Sequence, residues 1–353
     1  MHRWKYLNEC KGRRTGNSSK APGWFNRSVA TPATIFALLV LVVFAGCDTK
    51  QKTGNSETET KIHQRVAVTT YSLYCMVSSI CRDANGPVNE VIYVGPPNGT
   101  DAHAWMPPAD QVRDLQKVDL IVCNGPGAVF ANWMDKVTID ESKLCKTTDA
   151  IKLADFVVVT DHQLVHSHGP EGEHSHSWVV PQSWLSPRIA RKQARLCYER
   201  LIEVYGESTQ LDNGFAELQK KFDELEAVVE EIRNNHQGLV VASSTPDVQY
   251  LTRELGWTDR YLQWTESREI EQGKKELAEM RARVAKNDPE APPTEKLFLW
   301  SSTRIDSLGA FADSQWPSST TIDLVDAPEE SISADGYFER MATNLKRIGE
   351  SLE

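Results

Sequence analysis

Residues 66–70, Val-Ala-Val-Thr-Thr, form a short β-branched apolar run, and over residues 71–82 the apolar positions fall at helical spacing. Val-Ile-Tyr-Val at 91–94 reads as a second strand. Residues 95–100 are rich in Gly and Pro and read as a loop, Pro107-Pro108 opens a helix over 109–117, and Leu-Ile-Val-Cys at 120–123 is a third strand closed by Asn-Gly-Pro-Gly. A long helical tract is predicted from residue 188 to about residue 235. Its second half is the clearer: Phe215, Leu218, Phe222, Leu225, Val229 and Ile232 recur at intervals of three and four. Gly206 and Gly214 are the places where it would bend or break. A second set of elements follows: strands at 238–243, 261–264, 297–300 and 320–324, and helices at 247–255, 269–286 and 336–352. Strands that alternate with helices imply mostly parallel sheets. The predicted architecture is therefore α/β, two lobes joined by one long helix with a ligand cleft between them. The lobes are placed at 63–187 and 237–353 and the linking helix at 188–236.

Upstream of residue 63 the pattern is different. An apolar run at 35–45 follows a basic segment, and Phe44-Ala45-Gly46-Cys47 closes it. Such a run is short for a membrane span and has the form of a secretory leader. Its end resembles a bacterial lipobox, so residues 1–46 are predicted to be a lipoprotein-type signal and Cys47 the lipidated residue. Phe44 stands where leucine is usual, and an uncleaved anchor helix is the other reading. Either places the body outside the cytoplasm on a membrane. Residues 48–61 contain no apolar side chain and are expected to be a flexible tether, with a span on the order of 20 Å.

The chain has 353 residues and a formal net charge of −10. Seven Lys/Arg against one Glu in residues 1–46 give that segment +6, which leaves −16 for the rest. An acidic body argues against a nucleic-acid surface and is compatible with attracting cations. The seven cysteines show no Cys-x-x-Cys spacing, which disfavours a zinc ribbon. Cys75 and Cys81 are either a disulfide pair in an oxidising compartment or free buried thiols.

The densest chemistry lies at 162–176. Five of the nine histidines fall in these fifteen positions: His162, His166, His168, His174 and His176. Imidazole is a common zinc ligand, and a His-rich tract is a compositional sign of metal binding. In an extended segment each His-x-His pair points two rings to one side, and Gly169-Pro170-Glu171-Gly172 is turn punctuation that folds one pair back towards the other. A solvated polar loop is the bland alternative. An enzyme would use such a metal with Glu171 or Glu173 as general base, but the chain has no His-Glu-x-x-His, Gly-x-Ser-x-Gly or P-loop. His103 lies in a loop at the carboxyl end of a strand, where ligands sit in α/β sheets.

Asp101-Ala102-His103, Asn124-Gly125-Pro126, the His-rich insert, Pro181-Gln182-Ser183-Trp184-Leu185-Ser186-Pro187, residues 244–251 and the closing 337–345 occur in one order. Over roughly residues 65–350 that order resembles the zinc/manganese-type solute-binding proteins of ABC transporters. The resemblance implies a two-lobed clamp that binds one divalent ion and hands it to a membrane permease with a cytoplasmic ATPase. The chain is expected to be a monomer, with zinc as the leading cargo and manganese or copper as alternatives. His103 matches the family's first ligand histidine, although Asp110 follows it one residue sooner than usual. The second histidine falls on Gln182 and the third on Thr245. The family's carboxylate falls on Asp323, with Asp326 as the other candidate. Neither Gln nor Thr is a good zinc ligand. The expectation is that His166, His168, His174 and His176 replace the missing histidines beside His103 and Asp323. The alternative is a metal chaperone or sensor that kept the fold but lost the usual cleft site.

Overall fold

The computed structural model describes residues 64–353 except 101–104, 125–132, 135, 168–172, 263–269, 288–294, 302–305 and 330. For 160–167, 173–178, 283–287, 295–296 and 306–307 it describes the backbone alone. The expectations for the leader, Cys47 and the tether, and those for His103 and His168, lie outside the described residues. Among the described residues no helix is long and apolar enough to cross a membrane.

Two parallel sheets organise the chain. The first has strand order β2-β1-β3-β4, with β1 at Arg65–Val68, β2 at Glu90–Tyr93, β3 at Leu120–Cys123 and β4 at Leu144–Lys146. Helices α1 (Tyr71–Ile80) and α2 (Ala109–Leu115) make its crossovers. The second sheet has order β10-β9-β7-β8, with β7 at Val240–Ser243, β8 at Thr258–Tyr261, β9 at Glu295–Ser301 and β10 at Ser318–Ile322. Its helices are α5 (Gln249–Glu254), α6 (Ile270–Asn287), α7 (Asp306–Gln315) and the closing α8 (Gly336–Glu350). Every pairing within both sheets is parallel. β3 is buried throughout, as a central parallel strand covered on both faces must be. This is the predicted α/β class. β4 and α7 were not predicted, because Leu-Cys-Lys is too short to show a period and α7 buries little beyond Leu308 and Ala312.

The helical tract between the sheets is two helices. α3 (Pro187–Tyr205) starts at Ser186, whose side chain accepts from the Ile189 N–H, and ends at Gly206. Gly206 has φ 86°, a left-handed conformation that suits glycine, and its N–H closes the helix on the Ile202 carbonyl at 2.8 Å. α4 (Thr209–Asn235) then runs 27 residues and carries the apolar stripe, with Leu218, Phe222, Leu225, Val229 and Ile232 all buried. Gly214 does not break it. A Cβ there would stand 2.2 Å from the Ile80 carbonyl oxygen, so glycine is what lets α4 lie against the end of α1. The Phe215 ring stacks on Tyr198 of α3 at 4.2 Å, and Phe222 meets Tyr337 and Phe338 of α8 at 6.2 and 5.0 Å. One apolar core thus runs from β1 and α1 through α3 and α4 to β7, β9 and α8.

The two sheets are also tied directly. The Trp184 indole, fully buried, donates to the Leu324 carbonyl at 2.7 Å, and Tyr337 Oη donates to the Trp184 carbonyl at 2.8 Å. On α1, Cys75 Sγ donates to the Ser333 carbonyl at 3.2 Å. Cys81 caps the end of the same helix, and both cysteines are free. Six residues of helix rise about 9 Å and turn the side chains to different faces, so the Cys75–Cys81 bridge that the sequence left open does not form.

Candidate metal centre

The His-rich segment is a two-stranded antiparallel hairpin rather than a loop. β5 (Val158–Ser167) pairs with β6 (Glu173–Val179), His166 lies opposite His174, and Asp161 lies opposite His176. The register shifts between Asp161 and His166, and His162 falls in that interval. Cross-strand partners and alternate residues share a face of such a ribbon. The register therefore assigns His166, His174, His176 and Asp161 to one face. The hairpin is fixed at its base, where the Val180 N–H reaches the Val157 carbonyl at 2.9 Å and the Val157 N–H reaches Tyr250 Oη of α5 at 3.1 Å.

Two residues beyond that base stands Gln182, only 6% exposed. Asn124, at the carboxyl end of β3, holds the segment by donating from Nδ2 to the Pro181 carbonyl at 2.8 Å. Gln193 of α3 in turn donates to Asn124 Oδ1 at 2.8 Å and to Thr147 Oγ1 at 2.9 Å. Within this satisfied network Gln182 Oε1 is buried and has no hydrogen-bond partner. An orphaned buried amide oxygen costs on the order of 1–3 kcal/mol, and a cation or a donor at that atom would recover it.

Thr245 follows β7 and caps the turn Pro246–Val248. Its hydroxyl bonds to Asp247 Oδ2 at 2.6 Å and to Ser301 Oγ at 2.6 Å, and it accepts from the Asp247 N–H at 3.3 Å. This is a committed capping group, which explains threonine at the position without reference to a ligand.

Asp323 follows β10. Asn344 of α8 clamps its backbone at both ends, at 2.9 and 2.8 Å. Its carboxylate takes a fork from Arg340: Nε donates to Oδ2 at 2.5 Å and Nη2 donates to Oδ1, while the Val325 N–H also donates to Oδ1 at 2.9 Å. Val325 has φ 53°, which costs a β-branched residue on the order of 1–3 kcal/mol and persists only where its surroundings impose it. The backbone then presents Asp326. Burial pushes that carboxyl up and its own backbone N–H pulls it down; nearby Asp323 and Asp247 add upward pressure, and Arg340 opposes it. Tyr93 Oη, packed over Gly95 and donating to the Pro96 carbonyl at 2.9 Å, is pushed up by burial first and then by the charge of Asp326. The rings of Tyr71, Tyr74 and Tyr93 cluster there, with centroids 5.9–6.4 Å apart.

Arg340 joins the two sides here, forking Asp323 while its guanidinium lies 5.6 Å from the Tyr71 ring centroid on α1. Among the described residues, no three His, Cys, Asp or Glu side chains converge as a metal site. The aspartates are not a complete site by themselves. Sequence reasoning missed Arg340 and Asp247. Nothing in the pattern marks an arginine on an amphipathic helix as a partner for a carboxylate seventeen residues earlier.

Several solved structures share the fold. The FpvC solute-binding protein of Pseudomonas aeruginosa in complex with Mn2+ is 19% identical with a TM-score of 0.63, covering 82% of this chain and 98% of that one. The metal-dependent lipoprotein YcdH of Bacillus subtilis gives 16% and 0.61 over 82% and 98%. A Zn(II)-bound variant of AdcAII of Streptococcus pneumoniae gives 15% and 0.57 over 82% and 99%. No curated protein matches the sequence. The fold is that of a two-lobed solute-binding protein. The sequence profile of the family described as "Zinc-uptake complex component A periplasmic" matches residues 66–351, and the chain belongs to that family. It is a metal-binding, extracytoplasmic solute-binding protein of ABC uptake systems.

Proposed function

We propose that the chain captures a divalent metal ion, zinc before manganese or copper, chiefly through the His-rich hairpin, and delivers it to an ABC permease and its ATPase while anchored by lipid on Cys47. The observation that carries this reading is the hairpin register: His166 opposite His174, His176 two positions along, and a base two residues before Gln182. Imidazoles so placed suit zinc, whose closed sites take four ligands. His103 and His168 are further donors in the proposal. Asp326 replaces Asp323 as the cleft carboxylate, because Asp323 is engaged by Arg340. Gln182 lends its unpartnered oxygen.

The second reading, a metal chaperone or sensor, draws support from that same Arg340 fork and from the committed Thr245 hydroxyl, which engage two of the family's ligand positions within the protein itself. Elemental analysis of the full chain after purification, followed by competitive titration of zinc, manganese, nickel and copper, tests the proposal. Retained zinc that manganese does not displace is expected. A chain that takes up none of these ions would overturn metal capture, and binding through oxygen donors with manganese preferred would overturn the role of the hairpin.

A further inference from the structure

Beside Asp323 the place a cation would take is filled by a side chain of the same molecule. The Arg340 guanidinium forks both oxygens of Asp323, and its Nη1 donates to the Ala327 carbonyl at 2.6 Å. Its remaining face lies 5.6 Å from the Tyr71 ring centroid on α1. A carboxylate, a carbonyl and a ring therefore hold it on three sides. Both partners are shielded from water, with side chains 16% and 26% exposed, so this is not a loosely solvated surface pair. Arginine keeps its charge at every accessible pH, and its planar fork matches a carboxylate as a lysine would not. The loop is built around the pair: the oxygen that receives Nη2 also receives the Val325 N–H, and Val325 adopts its left-handed backbone there.

We propose that Arg340 is the built-in counter-cation of the cleft and the residue that sets its ion selectivity. By neutralising Asp323 it withdraws a carboxylate from any incoming ion. Hard ions such as manganese depend most on carboxylate oxygen, whereas zinc accepts imidazole, so withdrawing Asp323 turns the cleft away from hard ions and towards zinc. This rests on the reading of the chain as a divalent-metal binder and goes beyond it, because it assigns selectivity to a residue that ligates nothing.

The test is competitive titration of zinc and manganese into the full chain and into Asp323→Asn, Arg340→Met and the double variant. Asn is isosteric with Asp and keeps an acceptor for the Val325 N–H, so Asp323→Asn is expected to fold and to bind zinc within about three-fold of the native chain, well under the factor of ten that marks a lost strong interaction. Arg340→Met is expected to raise manganese affinity at least about ten-fold and by more than zinc affinity, and the double variant to lose that gain. A ten-fold or greater fall in zinc affinity shared by Asp323→Asn and the double variant, which keeps no unpaired Arg340 charge, would make Asp323 a ligand and overturn the proposal. Folded Arg340→Met with unchanged manganese affinity would also overturn it. If the native chain itself binds neither ion, the metal-binding reading falls and the proposal falls with it.

Discussion

Replacing His166, His174 and His176 together by alanine is expected to weaken zinc binding by more than about 100-fold, since even groups that only support metal ligands are worth 10–100-fold. The three positions share one face of the ribbon by register, which is why their loss is predicted to act as a unit. His162 provides the internal contrast. It lies where the ladder between β5 and β6 shifts register, outside the paired positions, and His162→Ala is expected to cost less than about ten-fold. Competition against a chromogenic chelator measures both. Equal losses for the triple and the single variant would mean that the tract binds metal by histidine density alone and that register is irrelevant.

The second large effect concerns the join between the sheets. Trp184 is fully buried and bonded through both its indole and its carbonyl, to Leu324 and Tyr337. Trp184→Ala is expected to lower the unfolding free energy by about 4 kcal/mol, the usual range for removing a large buried aromatic. Trp184→Phe keeps much of the packing but loses the indole donor and part of the ring volume, leaving the Leu324 carbonyl without its partner, and should cost about 2–3 kcal/mol, less than the alanine change. Urea denaturation without added metal reads these changes. Trp184→Ala with native stability would show that the contact between the 183–185 turn and the 324 loop does not hold the structure together.

Much of this was legible in the sequence because periodicity is a local property. The stripe from Leu218 to Ile232 is the buried face of α4, with Phe215 half-buried at its start, and the apolar runs at 66–68 and 120–123 are central strands of the first sheet. Boundaries slipped where turn chemistry decides them. The strand expected at 261–264 is Thr258–Tyr261, and the one expected at 320–324 is Ser318–Ile322. The single long tract became two helices because Gly206 adopts a positive φ, whereas Gly214, an equal suspect, serves the close approach of α4 to Ile80. Composition alone does not separate those two roles.

The site was less legible, because its decisive contacts join residues far apart in the chain. Gln182 and Thr245 were recognised as departures from the family's histidines, and the structure shows an orphaned amide oxygen at the first and a committed capping hydroxyl at the second. The engagement of Asp323 by Arg340 depends on the packing of α8 against the loop after β10, which no pattern of hydrophobic and polar residues encodes. For the His-rich segment, extended His-x-His pairs folded back on each other by Gly169-Pro170-Glu171-Gly172 were legible in the sequence, whereas the length and register of the two strands were not. The residues on either side of that punctuation pair as antiparallel strands.

The central claim is that the hairpin has become the principal source of metal ligands. Calorimetric titration of zinc into the full chain, into a variant lacking residues 165–177 and into His103→Ala tests it most directly. The account predicts tight binding by the native chain, loss of most of that affinity on deletion of the hairpin, and a smaller loss for His103→Ala. Zinc affinity unchanged in both variants would contradict it.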